Sequence, residues 1–167
     1  PTRPSGGTTT TPNPGPRRHE LAKARAELEP YFPNAFSVCA RQKNGINLVA
    51  FDNVGINADQ VEQQFAAIKA EFAKGLPVVL ACHIPFYADV LADTLMDSKG
   101  YKPASRDAIN ESWLVACPGK PALEINRRLR DWLPRQKNLK AILCGHMHTE
   151  CQAPFTDTVT QYICGAS

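Results

Sequence analysis

The sequence predicts an α/β domain in which a mixed β-sheet is flanked by helices. Short apolar runs of strand length alternate with longer segments whose apolar residues recur with helical spacing. Asn44-Gly45 separates two of the strand-like runs, and this dipeptide favours a tight hairpin between antiparallel strands. A strand, a helix and another strand then follow in order, which is the pattern of a right-handed parallel crossover. The sheet is therefore expected to contain both parallel and antiparallel pairs.

The composition is typical of a globular protein about one domain long. The chain has 167 residues, of which 43% are hydrophobic and 21% are charged, and it is long enough to bury a core. Its formal net charge of +3 is too small to indicate binding to nucleic acid or to an anionic membrane surface. Three of the cysteines, Cys82, Cys144 and Cys164, lie in apolar strand-like runs, where free cysteine packs as a small hydrophobic residue. This cysteine usage favours a reducing, cytoplasmic location.

The start of the chain divides into two regions of different composition. Residues 1–16 are rich in Pro, Thr and Gly and lack large apolar side chains, so we expect a flexible leader. The domain itself, residues 17–167, is predicted to begin with a helix in the run over 19–32, and this helix is expected to end around Pro30. Strands over 35–41 and 46–51 would follow and form the hairpin.

The next segment carries the predicted crossover helix and an insertion. Asn57 and Gln60 have the spacing of a capping box, and the helix that they begin is expected to end at Gly75. After a strand, a weakly helical segment over 88–96 opens an insertion that occupies residues 88–120. A polar insertion this long inside a compact domain is more often functional than idle.

Helix and strand signals return after the insertion. Pro121 is predicted to open a helix whose arginines face outward. The inward side of that helix would consist of Ile125, Leu129, Trp132 and Leu133. Continuous apolar runs predict buried strands over 77–82, 139–144 and 159–164.

The most informative stretch follows the strand over 139–144. The strand stops at Gly145, and His146 and His148 come next with one residue between them. Ligands bind at the carboxyl ends of strands in open α/β sheets, and side chains two residues apart on an extended backbone project the same way. The glycine would let the backbone turn sharply and approach a bound ion. This pattern predicts half of a metal site, although each histidine alone is also compatible with an ordinary surface loop.

His83 repeats this arrangement, because it follows the strand over 77–82 and precedes Pro85, which stiffens the turn. Two strands would then each end in histidine, and three neutral imidazoles could converge as ligands for Zn, Mn or Fe. A competing arrangement uses sulfur as well as nitrogen. Its four ligands would form a structural zinc site from Cys144, His146, His148 and Cys151.

These motifs resemble those of the calcineurin-like metallophosphoesterases. HIPFY at 83–87, GHMH at 145–148 and the helix between them match the C-terminal half of that family's domain in order, and the likeness covers about residues 17–164. The resemblance implies that the mixed sheet is part of a four-layer sandwich. It also implies that His83 and His146 bind one metal ion and that His148 binds another.

The chain departs from the family pattern in its first half. The family's first two motifs, Asp-X-His and Gly-Asp-X-X-Asp, supply the remaining ligands, and neither occurs here. The third motif, Gly-Asn-His-Asp/Glu, corresponds to residues 17–20, in which Arg18 replaces the metal-binding asparagine while His19 keeps the catalytic position. An arginine cannot ligate a cation. We therefore expect an incomplete domain whose N-terminal half, with its aspartate ligands, is missing through truncation, processing or a misread gene start.

The resemblance implies hydrolysis of a phosphomonoester or phosphodiester by water activated between two divalent ions, Mn, Fe or Zn. His19 would assist the chemistry. The chain alone would carry part of the site and hold two ions, one or none. The alternatives are a metal-binding module without turnover, a half-domain that pairs with another chain supplying carboxylates, and the structural zinc site described above. The candidate contacts on the substrate side are Phe86, Tyr87, Tyr101, Lys102 and Trp113.

Overall fold

The computed structural model describes residues 23, 38–99 and 120–165, and the side chains of all these except 97–99. Its strands are β1 (Val38–Lys43), β2 (Ile46–Phe51), β3 (Val78–Ala81), β4 (Leu139–Cys144), β5 (Cys151–Pro154) and β6 (Thr160–Ile163). Its helices are α1 (Ala58–Phe72), α2 (Asp89–Lys99) and α3 (Lys120–Trp132), and a 3-10 turn over Leu133–Arg135 follows α3. In the described part of the chain the strands form one sheet in the order β1-β2-β3-β4-β6-β5. The two outermost pairs are antiparallel and the inner pairs are parallel, which confirms the predicted mixed sheet flanked by helices.

The hairpin between β1 and β2 forms at the predicted dipeptide. Asn44 and Gly45 have φ of 52° and 77°, and a tight two-residue hairpin turn requires positive φ at both positions. Lys43 therefore pairs with Ile46 across the turn. Of the helix predicted over 19–32, Lys23 alone is described, and its backbone is helical.

Helix α1 begins and ends where the sequence predicts. The Asn57 side chain accepts a hydrogen bond from the Gln60 backbone N–H, and the Gln60 side chain accepts one from the Asn57 backbone, so the capping box is complete. Gly75, with φ of 75°, follows the last turn, in the left-handed conformation that glycine adopts without strain. Val61, Ile68 and Phe72 are buried against the sheet.

Helices α2 and α3 cover the rest of the same side of the sheet. Leu91 and Leu95 of α2 and Ile125 and Leu129 of α3 are almost completely buried in a single core cluster with α1 and the strands. The strand residues in that cluster alternate along β2 and β3, as expected when one face of a strand is buried. The core therefore lies between the sheet and its helices.

The strand prediction missed β5, which pairs antiparallel with β6 at the edge of the sheet. This strand has four residues, of which Gln152 is exposed and Pro154 cannot donate to a ladder. An edge strand of this kind lacks the apolar alternation that identifies longer strands. The predicted strand over 159–164 is present as β6, which lies parallel to β4.

The side of the sheet opposite the helices carries apolar side chains that remain exposed. Leu48 is 42% exposed, Leu143 38% and Tyr162 41%, although they lie on β2, β4 and β6 respectively. Ile46 is 46% exposed on the same side of β2 as Leu48. We call this surface, Ile46, Leu48, Leu143 and Tyr162, the open face.

Candidate metal centre

His83 and His146 are in direct contact at the carboxyl edge of two neighbouring parallel strands. His83 follows β3 and His146 follows β4, and β3 pairs with β4 in parallel. The His83 Nε2 and His146 Nδ1 atoms are 3.2 Å apart. The two rings meet edge to face, with centroids 5.1 Å apart and an angle of 78° between their planes. The structure thus brings together two of the three imidazoles predicted as ligands.

The backbone holds these two loops side by side beyond the ends of the strands. The Cys82 N–H donates to the Leu143 carbonyl at 3.0 Å, and the Gly145 N–H donates to the His83 carbonyl at 3.0 Å. Met147, in the loop after β4, is 5% exposed and anchors that loop in the core. The contact between the imidazoles therefore follows from strand pairing and from an apolar anchor.

His146 and His148 do not lie on an extended backbone, so the argument that they project the same way from a strand is wrong. Strand β4 ends at Cys144, and both histidines are in the left-handed region, with φ of 70° and 50° respectively. That region is uncommon for residues other than glycine, although histidine is one of those enriched there. This backbone conformation costs of order 1–3 kcal/mol for each residue, and residues in such conformations are concentrated at functional sites. The turn is therefore made by the histidines themselves.

Gly145 does not have the backbone conformation that was predicted for it. It is not among the described residues with positive φ, so it does not make the sharp turn. A Cβ at this position would lie 3.5 Å from His83 Nδ1, which is an ordinary van der Waals separation. A methyl group would therefore fit beside the His83 ring, and neither the backbone conformation nor the space around it requires glycine here.

Asn53, the second residue after β2, fixes the backbone that carries His83. Its Oδ1 accepts hydrogen bonds from the His83 N–H at 3.1 Å and the Ile84 N–H at 3.0 Å. Its Nδ2 donates to the Ile84 carbonyl at 2.8 Å and to Asn126 Oδ1 on α3 at 2.9 Å. Asn53 is completely buried. A single amide thus joins the end of β2, the loop after β3 and a helix.

Gln161 of β6 does the same for the far end of that loop. Its Oε1 accepts from the Phe86 N–H at 2.8 Å, and its Nε2 donates to the Phe86 carbonyl at 3.0 Å. Gln161 is also completely buried. The loop from His83 to Phe86 is therefore held at both ends by buried amides, one just after β2 and the other on β6.

The remaining predicted ligand, His148, is exposed and takes part in contacts of its own. Among the described residues, no group of three His, Cys, Asp or Glu side chains is arranged to hold a metal ion. That includes the alternative zinc set, in which Cys144 is buried in the core and the Cys151 thiol lies 3.4 Å from the Thr94 hydroxyl. The structural zinc site is therefore not formed by these four residues in this structure.

The predicted contacts on the substrate side are described in part. Tyr87 is partly buried, and its hydroxyl donates to the Asp89 carboxylate at 3.2 Å, while the Phe86 ring is buried in the core. Phe86 therefore cannot contact a substrate without leaving the core. His19 and Trp113, with Tyr101 and Lys102, lie outside the described residues.

Two thiols lie next to the imidazole pair. The Cys82 and Cys144 sulfur atoms are 3.7 Å apart, and the Cys82 thiol also lies 3.3 Å from the Ile84 carbonyl oxygen. The contact with Cys144, and then burial, raise the pKa of the Cys82 thiol well above its ordinary value. Cys82 is therefore protonated at neutral pH, which disfavours its use as an anionic metal ligand.

The chemistry available to His83 and His146 is that of a pair of imidazole nitrogen donors. With Zn–N bonds of about 2.0–2.1 Å, two nitrogens on a tetrahedral ion would lie about 3.4 Å apart, close to the 3.2 Å observed. In the absence of an ion, the same distance suits a hydrogen bond between one N–H and one lone pair. The donor set thus fits part of the coordination shell of one divalent ion.

Sequence similarity adds no further assignment, because the chain matches no protein-family model and no curated protein. In the described residues, no helix has the length and apolar character that crossing a bilayer would require.

Proposed function

We propose that this chain is the histidine-bearing part of a metal-dependent phosphoesterase that hydrolyses a phosphomonoester or phosphodiester. The observation that carries the proposal is the 3.2 Å contact between His83 and His146. Two neighbouring parallel strands end in these residues, at the edge where α/β sheets bind ligands. The likeness of residues 83–87 and 145–148 to the motifs of calcineurin-like metallophosphoesterases supports the same assignment.

Each residue has a defined part in this proposal. His83 and His146 would hold one divalent ion, and His148 would reach a second. Divalent ions in such a centre lower the pKa of bound water and stabilise charge on a phosphoryl group. His19 would move a proton during the reaction, and Tyr87 and Trp113 would line the substrate side.

The open face supports the idea that a further layer completes the domain. Its apolar side chains belong to three strands of the sheet, and a sheet normally buries such a face against another element. A second sheet packed there would complete a four-layer sandwich. It would also bring carboxylates to the imidazole pair, which lacks a third donor among the described residues. In the proposal, these carboxylates are aspartates from an N-terminal half.

The second candidate function is a metal-binding module without turnover. It is favoured by the same lack of a third acidic or sulfur donor beside the two imidazoles in the described residues. Two histidines can bind an ion, but the chemistry of phosphoester hydrolysis in such centres relies on a fuller ligand set.

The test measures metal uptake and turnover on the full chain. Zn²⁺ and Mn²⁺ binding is followed by calorimetry, and hydrolysis by release of nitrophenol from bis(p-nitrophenyl) phosphate. His83→Ala and His146→Ala should each abolish uptake, whereas Lys140→Ala, an exposed position on β4, should leave it unchanged. Uptake with turnover supports the phosphoesterase, and uptake without turnover supports the binding module. Uptake that survives His146→Ala would overturn the site.

A further inference from the structure

Cys82 directly follows β3 and Cys144 is the last residue of β4, so the two cysteines are neighbours at the ends of two parallel strands, on the same side of the sheet. Ala81 pairs with Leu143 in the β3–β4 register, so each cysteine comes one residue after this pair. Neighbouring strands lie about 4.8 Å apart, which is within the Cα separation of about 4.4–6.8 Å found in disulfides. The sulfur atoms are already 3.7 Å apart, and both thiols are free.

We propose that Cys82 and Cys144 form a reversible disulfide that moves His146 relative to His83. Cys82 directly precedes His83, and Cys144 lies two positions before His146. The disulfide would therefore join the two strand ends that lead into the imidazole pair. The proposal concerns the thiols and the imidazoles themselves, so it stands whether or not a metal binds there.

The oxidant in this reaction is a low-molecular-weight disulfide such as oxidised glutathione. Cys82 is the less buried of the two residues. Its raised pKa keeps most of the thiol protonated at neutral pH, so the reaction proceeds through the thiolate fraction, which attacks one sulfur of the oxidant, forms a mixed disulfide and releases one thiol. Cys144, which is buried, then attacks the Cys82 sulfur and releases the second thiol. The two cysteines each lose a proton and together lose two electrons, and the oxidant is reduced to two thiols. A dithiol reductant reverses both steps.

Forming the disulfide is expected to displace the two histidines by different amounts. Closing the bond shortens the sulfur–sulfur distance from 3.7 Å to about 2.05 Å. The backbone after Cys82 is held by the buried amides of Asn53 and Gln161. Beyond Gly145, whose N–H donates to the His83 carbonyl, the backbone that carries His146 is held by the Met147 N–H, which donates to the Gly145 carbonyl, and by the buried Met147 side chain. We therefore expect His146 to move more than His83.

Two of the other described cysteines provide the comparison. Cys164 is exposed, and the Cys151 thiol contacts the Thr94 hydroxyl at 3.4 Å. Exposed thiols react with an oxidant more readily, but a disulfide also needs a second thiol within reach. Cys82 and Cys144 meet this requirement in the folded chain.

The first measurement identifies the bond. The full chain is incubated with oxidised glutathione under native conditions, blocked with N-ethylmaleimide in denaturant, digested and examined by mass spectrometry. We expect a main product that has lost two free thiols, with the peptides of Cys82 and Cys144 joined and separated again by dithiothreitol. Cys82→Ser should remove this product and Cys164→Ser should retain it. If the wild-type chain joins other cysteines instead, or none, the proposal is wrong, and this outcome does not depend on how any variant folds.

The second measurement tests the coupling to the imidazoles. Ring signals of His83 and His146 are recorded by NMR in the reduced and oxidised chain and are assigned with His83→Gln and His146→Gln. The His146 signal should shift on oxidation, and the His83 signal should shift less. A disulfide that forms while both signals keep their positions would overturn the coupling.

Discussion

The Asn53 carboxamide lies where the end of β2, the loop after β3 and helix α3 come together. It binds the backbone of His83 and Ile84 through three hydrogen bonds and Asn126 through a fourth. An unpaired buried donor or acceptor costs about 1–3 kcal/mol, so the loop depends on this one side chain. The backbone that carries His83 is therefore held by the side chain of a residue 30 positions away in the sequence.

Replacing Asn53 with alanine should lower the free energy of unfolding by about 3 kcal/mol or more, because several buried groups lose their partner together. The matched control is Asn57→Ala, which removes the exposed side chain that caps α1 and should cost about 1 kcal/mol. Urea unfolding of both variants measures the difference. Equal losses would show that the Asn53 hydrogen bonds contribute no more than a helix cap.

The two kinds of site residue differ in how far the sequence reveals them. His83 and His146 were found because a histidine directly after a buried strand is a local pattern. The roles of Asn53 and Gln161 depend on partners 31 and 75 positions away in the chain. An isolated amide within an apolar strand, or just after one, gives no local signal of such a partner, so sequence reasoning missed both.

At the scale of elements, α1 and α3 are joined by a contact that combines charge and an aromatic face. Arg128 of α3 donates hydrogen bonds to the Glu62 carboxylate of α1 through both of its terminal nitrogens. Its guanidinium also lies 4.4 Å from the centre of the Phe65 ring. The Trp132 ring packs edge-on against the same phenylalanine, with centroids 5.8 Å apart. The arginines predicted to face outward on α3 thus include one that fixes the packing of two helices.

This contact should make stability depend on pH in a defined direction. The hydrogen bond from Arg128 lowers the pKa of the Glu62 carboxyl. Its contribution to stability is therefore present above the unfolded pKa of glutamate, about 4.3, and is lost as the pH falls through the lower folded pKa. Glu62→Gln should lower the melting temperature at pH 7 and have a smaller effect at pH 3. Thermal unfolding at both pH values, with Asp157→Asn as the charge control, checks this, and an equal effect at both would contradict it.

The elements that sequence predicted best are those with a complete local signal. The capping box of α1, the hairpin turn at Asn44-Gly45 and the inner strands each depend on residues close in the chain, and each is confirmed. The short strand β5 lacked such a signal, because it is held in place by pairing with β6. Tertiary pairing, which the local pattern does not contain, decides elements of this kind.

At the scale of the whole molecule, the open face distinguishes this sheet from the usual parallel sheet, in which both faces are covered. Parallel strands usually have both faces buried, yet Leu143, in the middle of the sheet, is 38% exposed. Its neighbour Ile142 points to the helices and is completely buried. The two faces of β4 are thus in different environments.

Alanine substitutions at Ile142 and Leu143 should measure how differently the two faces of β4 contribute to stability. Ile142→Ala should cost about 2–5 kcal/mol, because it creates a cavity in the core. Leu143→Ala should cost below about 1 kcal/mol, the usual range for a surface position. Urea denaturation of the full chain gives both values. A loss at Leu143 as large as that at Ile142 would show that the face is covered in solution.

The imidazole pair also has a consequence for how the chain reaches its native state. His83 and His146 are separated by 63 positions in the sequence, so bringing them together requires a large loop to close and β3 to pair with β4. Long-range pairings of this kind form late, because the entropy of closing the loop is lost before the contacts between the strands contribute free energy. The distance between the two rings therefore reports on a late step of folding. A spectroscopic probe of that distance would show when β3 and β4 pair.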